Sequence, residues 1–154
     1  MISLKDKLKN KSKGFTIVEL LIVIVIIAIL ATLVIVTFTG IQKKARDSQR
    51  QTDINAVDSH LEAFYAEKGF YPSFADLSST TWVSANMKGL DPEALIGPKG
   101  GTLVAGAATG DQYGYQVTDS TKASCETDDT TCAIFTLGAV LEGSTTPFSK
   151  SSNT

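Results

Sequence analysis

The sequence is poor in the side chains from which catalytic and metal sites are usually built. Its 154 residues include one histidine and two cysteines, and no Gly-x-Ser-x-Gly, phosphate-binding loop or His-Glu-x-x-His motif occurs among them. The single histidine, His60, falls in a stretch with helical periodicity, far along the chain from either cysteine. A histidine–cysteine metal pair therefore has little support. We predict that the protein is not an enzyme and has no catalytic residue, metal or cofactor.

Charge is absent from one long stretch of the chain. Between Leu20 and Gln42 none of the 23 residues is charged and none is proline, and a helix needs about 20 residues to cross a bilayer. A core helix of a small soluble domain does not stay apolar on every face for so long. An ordinary secretory signal has a shorter apolar core and a small residue at position −3 of its cleavage site, where Ile29 would stand. The stretch therefore predicts a transmembrane helix.

A short basic segment precedes the apolar stretch, with lysines at Lys5, Lys7, Lys9, Lys11 and Lys13. Gly14 and Phe15 follow it, and Glu19 stands where the apolar run begins. This arrangement resembles the class III signal of type IV prepilins, in which a basic leader ends in glycine and precedes Phe and, at the fifth mature position, Glu. The resemblance implies that a prepilin peptidase cuts between Gly14 and Phe15 and that Phe15 becomes N-methylated. It also places the N-terminus in the cytoplasm and the rest of the chain outside, which the charges flanking the span do not settle.

Glu19 is the acidic residue at the membrane edge of this span. An ionised carboxylate is costly in lipid and is rare there unless it is used. The resemblance implies that cleavage creates an ammonium group on Phe15 and that Glu19 of one subunit pairs with Phe15 of a neighbour. The alternative is a Glu19 side chain that merely reaches out to the lipid headgroups. We predict that Glu19 is a subunit-assembly residue.

Removal of the leader changes the charge of the chain. The sequence has 14 Lys and Arg against 16 Asp and Glu, and the leader holds five of the basic and one of the acidic residues. The mature subunit would therefore have a net charge of −6, which argues against a nucleic-acid-coating surface. We divide the chain into a leader at 1–14, a transmembrane and assembly helix at 15–42, an amphipathic helix at 43–68, and a small extracytoplasmic head with a disordered tail at 69–154.

The helix is expected to continue from the membrane into the head. Apolar residues fall at spacings of three, four and three, at Ile54, Val57, Leu61 and Phe64, which is the pattern of a one-sided helical stripe. Gly69 is placed to end the helix after Lys68, and Pro72 prevents it from resuming. We expect the stripe to be core, and the acids Asp53, Asp58 and Glu62 to lie on a solvated side.

The remaining residues predict an α+β head of the type IV pilin kind, with a small antiparallel sheet laid on the long helix. Ser73 and Asp76 form a potential capping box, and Asp91 with Pro92 marks another helix start. Alternation of apolar and polar residues predicts strands at 113–118 and 133–141. Residues 102–104 are an optional third strand. The Ser- and Thr-rich segment from Gly143 to Thr154 is expected to be a loose tail.

Cys125 and Cys132 are the only two cysteines of the chain. An even count in an exported domain favours a disulfide between them. The acids between them, Glu126, Asp128 and Asp129, could offer oxygens to Ca²⁺, as some pseudopilins do near their C-terminus. Their spacing matches no calcium-loop signature, so a solvated acidic turn is the favoured interpretation and no metal is predicted.

These features together predict a structural subunit of a type IV pilus-like filament. Its expected partners are the prepilin peptidase, further copies of itself, other pilins and an inner-membrane assembly platform; nucleic acid is not indicated. It would be a single-pass protein of the cytoplasmic membrane before assembly and part of an extracellular filament afterwards. A pseudopilin or minor pilin of a type II secretion or competence machine would carry the same motifs. A monomeric, signal-anchored binding module, in which Glu19 is incidental, is the alternative from a different class.

Overall fold

The computed structural model describes residues 14–125 and 130–152. By its internal contacts the chain divides into two compact units, Met1–Gly40 and Ile41–Thr154. The lysines of the leader and the three acids of the calcium alternative, Glu126, Asp128 and Asp129, lie outside the described residues.

One long helix, α1, runs from Ile17 to Lys68. It ends as the sequence predicts: Gly69 adopts a φ of 84°, and its N–H donates to the Tyr65 carbonyl at 2.7 Å. A residue with a side chain is strained at this φ, which is why glycine suits the position after a helix. The prediction of an uninterrupted helix up to Lys68 is confirmed.

The part of α1 that lies in the first unit is apolar and uncovered. Its large apolar side chains are about half exposed or more, from Ile17 at 84% to Val25 at 48%. By length and composition α1 includes an 18-residue window that could cross a membrane, with a mean hydropathy of 3.4 and none of it buried. Such a surface is unfavourable in water and requires lipid or protein around it.

Short helices follow α1 in the second unit. α2 spans Phe74–Ser78, α3 spans Thr80–Asn86, and a 3₁₀ turn spans Pro92–Leu95. The capping box that the sequence predicts is present, with Ser73 and Asp76 satisfying each other's backbone N–H groups. Asp91 caps the 3₁₀ turn through the N–H of Glu93. Helix α3 was not predicted; Ser79 is its N-cap.

Four strands form one sheet in the order β1, β2, β3, β4. Their bounds are β1 Val104–Ala105, β2 Gly114–Asp119, β3 Cys132–Ala139 and β4 Phe148–Ser151. Strands β2, β3 and β4 are antiparallel to one another, but β1 is parallel to β2. The sheet is therefore mixed and not purely antiparallel as predicted. A single reversal between β1 and β2 would make the two strands antiparallel. Their connection contains a second reversal, bridged at Thr109 and Gln112, so that β2 runs in the same direction as β1.

The prediction of a loose tail is wrong for its middle portion. Phe148–Ser151 forms β4, which pairs with β3 over four residues. The Lys150 ammonium lies 3.8 Å from the Asp58 carboxylate of α1. Backbone pairing to an existing edge gives a short polar segment an ordered place that its composition does not reveal.

The core lies between α1 and the sheet. The predicted stripe of Ile54, Val57, Leu61 and Phe64 is buried, the most exposed of the four being Phe64 at 6%. The facing strands β2 and β3 bury Tyr115, Val117, Phe135, Leu137 and Ala139, and Tyr113, just before β2, is buried with them. The α+β fold with a long N-terminal helix is thus confirmed, and it has the architecture of a type IV pilin head.

The sequence predicts that the acids beside this stripe lie on a solvated side. In the structure each of them has a partner in the head. Tyr113 donates to Asp53 at 2.7 Å and Tyr71 to Glu62 at 3.3 Å, while Asp58 faces Lys150 of β4. Burial raises the pKa of Asp53, and the Tyr113 hydroxyl partly offsets this. The segment after α1, the residue before β2 and the edge strand β4 each bring one partner to these acids.

Candidate assembly site at the start of the long helix

The predicted cleavage junction lies outside regular structure. Gly14, Phe15 and Thr16 precede the first residue of α1, and the Phe15 side chain is 88% exposed. A Cβ built at Gly14 would meet no atom within 4 Å. Helical hydrogen bonding begins one residue after this junction, where the Thr16 carbonyl accepts from the Leu20 N–H at 3.2 Å.

Glu19 is bonded within its own chain to Thr16. The Thr16 N–H donates to Glu19 Oε2 at 2.8 Å, and the Thr16 hydroxyl donates to the same oxygen at 2.7 Å. In return the Glu19 N–H donates to Thr16 Oγ1 at 3.2 Å. This is a capping box, in which both N–H groups at the helix start find side-chain acceptors. Our sequence analysis missed Thr16, although the Thr-x-x-Glu pattern before an apolar run is the known signal for it.

The chemistry of this site follows from what surrounds the carboxylate. Glu19 is the acid in the first turn of α1, where a negative charge is favoured by the helix dipole. Beyond it extends the exposed apolar surface from Leu20 onward. One oxygen of the carboxylate already accepts both bonds from Thr16, so Glu19 can bind a further cationic donor while remaining ordered.

A second polar feature, the Arg50 cluster, was missed altogether by sequence analysis. The Arg50 side chain is 2% exposed, and its guanidinium contacts Asp47 at 2.9 Å, Asp111 at 2.7 Å and Glu142 at 3.2 Å. Arg46 forms two short bonds to Glu142. Lys99 also reaches Glu142, at 2.8 Å. The cluster ties α1 to two separate loops of the head.

The carboxylates of the Arg50 cluster are held in their charged forms. Hydrogen bonds from Arg46 and Lys99 lower the pKa of Glu142 far below its usual range. Burial by itself would raise the pKa of Asp47 and Asp111, but backbone N–H groups and Arg50 outweigh it and lower both. No local sequence pattern predicts this arrangement, because its acids, Asp47, Asp111 and Glu142, are far apart along the chain.

The structure joins Cys125 and Cys132 in a disulfide. Cys132 is the first residue of β3, and the Cys125 N–H donates to Val117 of β2 at 3.4 Å. The bond therefore closes the connection between two paired strands. Among the described residues no group of three or more His, Cys, Asp or Glu is arranged to hold a metal ion.

Comparisons with known proteins find relatives of the chain. A family model described as the prokaryotic N-terminal methylation motif matches residues 9–35, which include Gly14, Phe15 and Glu19. The type IV major pilin protein PilA of Myxococcus xanthus is 34% identical over 71 residues, or 46% of this chain and 32% of that protein.

Proteins of secretion systems are also similar to the chain. The type II secretion system core protein G of Escherichia coli is 36% identical over 64 residues, covering 42% of this chain and 44% of that protein. The core protein G of Klebsiella pneumoniae is 31% identical over 94 residues, covering 61% and 65%. No solved structure matches the chain. The chain spans less than half the length of PilA and of the core protein G of Escherichia coli.

These matches define the class of protein. The chain carries the type IV prepilin methylation motif ahead of a pilin-like α+β head. It is homologous to a type IV pilin and to the core protein G of type II secretion systems. It is accordingly pilin-like in its N-terminal motif and in its fold.

Proposed function

We propose that the chain is a non-catalytic filament subunit processed as a prepilin. A prepilin peptidase removes residues 1–14, Phe15 is N-methylated, and the apolar part of α1 holds the subunit in the cytoplasmic membrane with its head outside. Subunits then leave the membrane and assemble through α1, with other pilins and an inner-membrane platform as partners.

One observation carries this proposal. A single acid, Glu19, stands ordered at the first turn of a helix whose next 23 residues are uncharged, and an apolar surface of this extent needs a covering. Cleavage at Gly14 would place a new ammonium on Phe15, one residue before Thr16. A neighbour's ammonium can then bind Glu19 while the two helices cover each other's apolar side chains.

A pseudopilin of a type II secretion machine is supported as well as a pilus subunit. The relatives include both a major pilin and several core G proteins, at similar identities. The head has no described feature that assigns it to one of the two.

The processing step is tested by N-terminal mass spectrometry of the native protein. The expected result is a mature chain that begins with N-methylated Phe15. An intact Met1, or a start after Ala31, would contradict the proposal.

The kind of filament is tested by shearing cells and separating the released material. A pilus subunit is expected to dominate the sheared fraction, whereas a pseudopilin should stay with the cell envelope and its deletion should block secretion. A processed protein that cross-links to no other copy of itself in either fraction would support the anchored binding module instead.

A further inference from the structure

Two lysines follow the apolar stretch directly, and no described residue pairs with their ammonium groups. Lys43 and Lys44 are the first charged residues after Glu19, and both are exposed on α1. Within residues 14–125 and 130–152, neither ammonium has a hydrogen-bond or ion-pair partner. Two adjacent, exposed positive charges that pair with no described acid therefore stand at the end of the span.

The next two basic residues along α1 behave differently. Arg46 and Arg50 turn toward the head and are neutralised by Asp47, Asp111 and Glu142. The Arg50 cluster also uses the nearest acid on α1, Asp47, whose oxygens accept from Arg50 and from two backbone N–H groups. Among residues 14–125 and 130–152, Lys43 and Lys44 are thus left without an acidic partner. The sequence places them where a membrane-spanning helix meets the headgroups.

We propose that Lys43 and Lys44 bind the phosphates of anionic phospholipids at the outer surface of the membrane. The inference rests on the membrane anchorage in the proposed function. A Lys side chain is a point charge on a flexible apolar stem, so it can reach headgroup phosphates from the end of a span. Such residues next to a membrane are attracted to anionic lipids. The contact must break when the subunit leaves the bilayer, so anionic lipid retains the subunit before assembly.

The test measures the accessibility of each lysine in the complete protein. The chain is reconstituted at low density into vesicles of neutral phosphatidylcholine, or of phosphatidylcholine with phosphatidylglycerol. A water-soluble acylating reagent is added, and modification is followed per residue by mass spectrometry. Lys43 and Lys44 are expected to react about fivefold more slowly in the anionic vesicles, and high salt should remove the difference. The exposed head residues Lys88 and Lys122 are the internal controls and should react equally in both.

Variants give an independent measure. In the double variant K43Q and K44Q, a lower detergent concentration should suffice to extract the protein from anionic vesicles. The concentration needed for neutral vesicles should be unchanged. The matched control, K88Q with K122Q, should behave as the wild type in both.

Equal reactivity of Lys43 and Lys44 in the two lipids would overturn the inference. So would protection that grows with protein density in neutral vesicles, because the partner would then be a neighbouring subunit. Failure of the protein to float with vesicles of either composition would instead contradict the membrane anchorage on which the inference depends.

Discussion

At the scale of single residues, Glu19 and Thr16 show how a carboxylate can be tolerated at the edge of an apolar helix. Thr16 supplies two donors to Glu19, and the helix start benefits from the charge. Glu19 is thereby ordered before any partner arrives. Its proposed role in assembly and its local role as a helix cap are separable by mutation.

We predict that Glu19→Ala leaves membrane insertion normal or improved, because a charge at the membrane edge is removed, while filament formation fails. Insertion is measured by carbonate extraction and filaments by the sheared fraction. The control is Thr16→Val, which removes the hydroxyl of the capping box but keeps the acid, and which should retain some filaments. Filament yield at the wild-type level in Glu19→Ala would favour the anchored monomer.

Arg50 gives a second prediction at this scale. Arg50→Met leaves three carboxylates around a buried position without their shared cation, and breaking a buried ion pair on one side costs about 3–5 kcal/mol. Denaturant unfolding in detergent should show this loss. Lys43→Met, which removes an exposed and unpaired charge from the same helix, should change the free energy of unfolding by about 0.5 kcal/mol or less. Similar losses in the two variants would mean that the Arg50 cluster contributes little.

The same cluster sets a pH dependence. The pKa values of Asp47, Asp111 and Glu142 are lowered in the folded protein. Their contribution to stability is therefore present above the unfolded carboxyl pKa, about 4, and is lost as the pH falls through the lower folded values. Unfolding of the wild type should become easier with acidification below about pH 4, and Arg50→Met should show a shallower dependence. An equally steep decline in both proteins would assign the acid sensitivity to other groups.

At the scale of elements, the packing of α1 against the rest of the head core depends on Phe64. Its ring packs against Phe70 and Trp82, with centroids 5.6 Å and 5.5 Å apart. We expect Phe64→Ala to cost about 3–5 kcal/mol in denaturant unfolding. Asn55→Ala, on the exposed side of the same helix, should cost within about 0.5 kcal/mol. Asp58 is unsuitable as the control, because it faces Lys150 of β4.

The Cys125–Cys132 disulfide belongs to the connection between β2 and β3. Peptide mapping under non-reducing conditions should recover the two cysteines joined within one chain. Cys125→Ser should reduce stability by about 2 kcal/mol, since the closed loop is short, and hydrogen exchange should rise in that connection more than in α1. Recovery of both cysteines as free thiols from the exported protein would contradict the prediction.

At the scale of the whole molecule, the two compact units have different requirements. The unit from Ile41 to Thr154 has its own core, whereas the apolar residues of the first unit are exposed. A fragment of residues 41–154 should therefore be soluble and sediment as a monomer, while the complete chain associates. Association of the fragment at similar concentrations would place the main contacts in the head and weaken the proposed role of α1 in assembly.

The sequence by itself determined the features that depend on local pattern. The apolar run, the prepilin motif, the stripe from Ile54 to Phe64 and the helix end at Gly69 could all be predicted, because each depends on neighbouring residues or on a fixed period. Thr16 belonged to the same category and could have been read from its spacing to Glu19.

Only the tertiary structure decided the features that join distant segments. The parallel pairing of β1, the place of β4 and the Arg50 cluster depend on contacts between residues as far apart as Arg46 and Glu142. The partners of Asp53, Asp58 and Glu62 were hidden for the same reason. Periodicity tells which face of an element is apolar, but polar contacts at its edges are set by which chain segment folds back against it, and no local pattern encodes that choice.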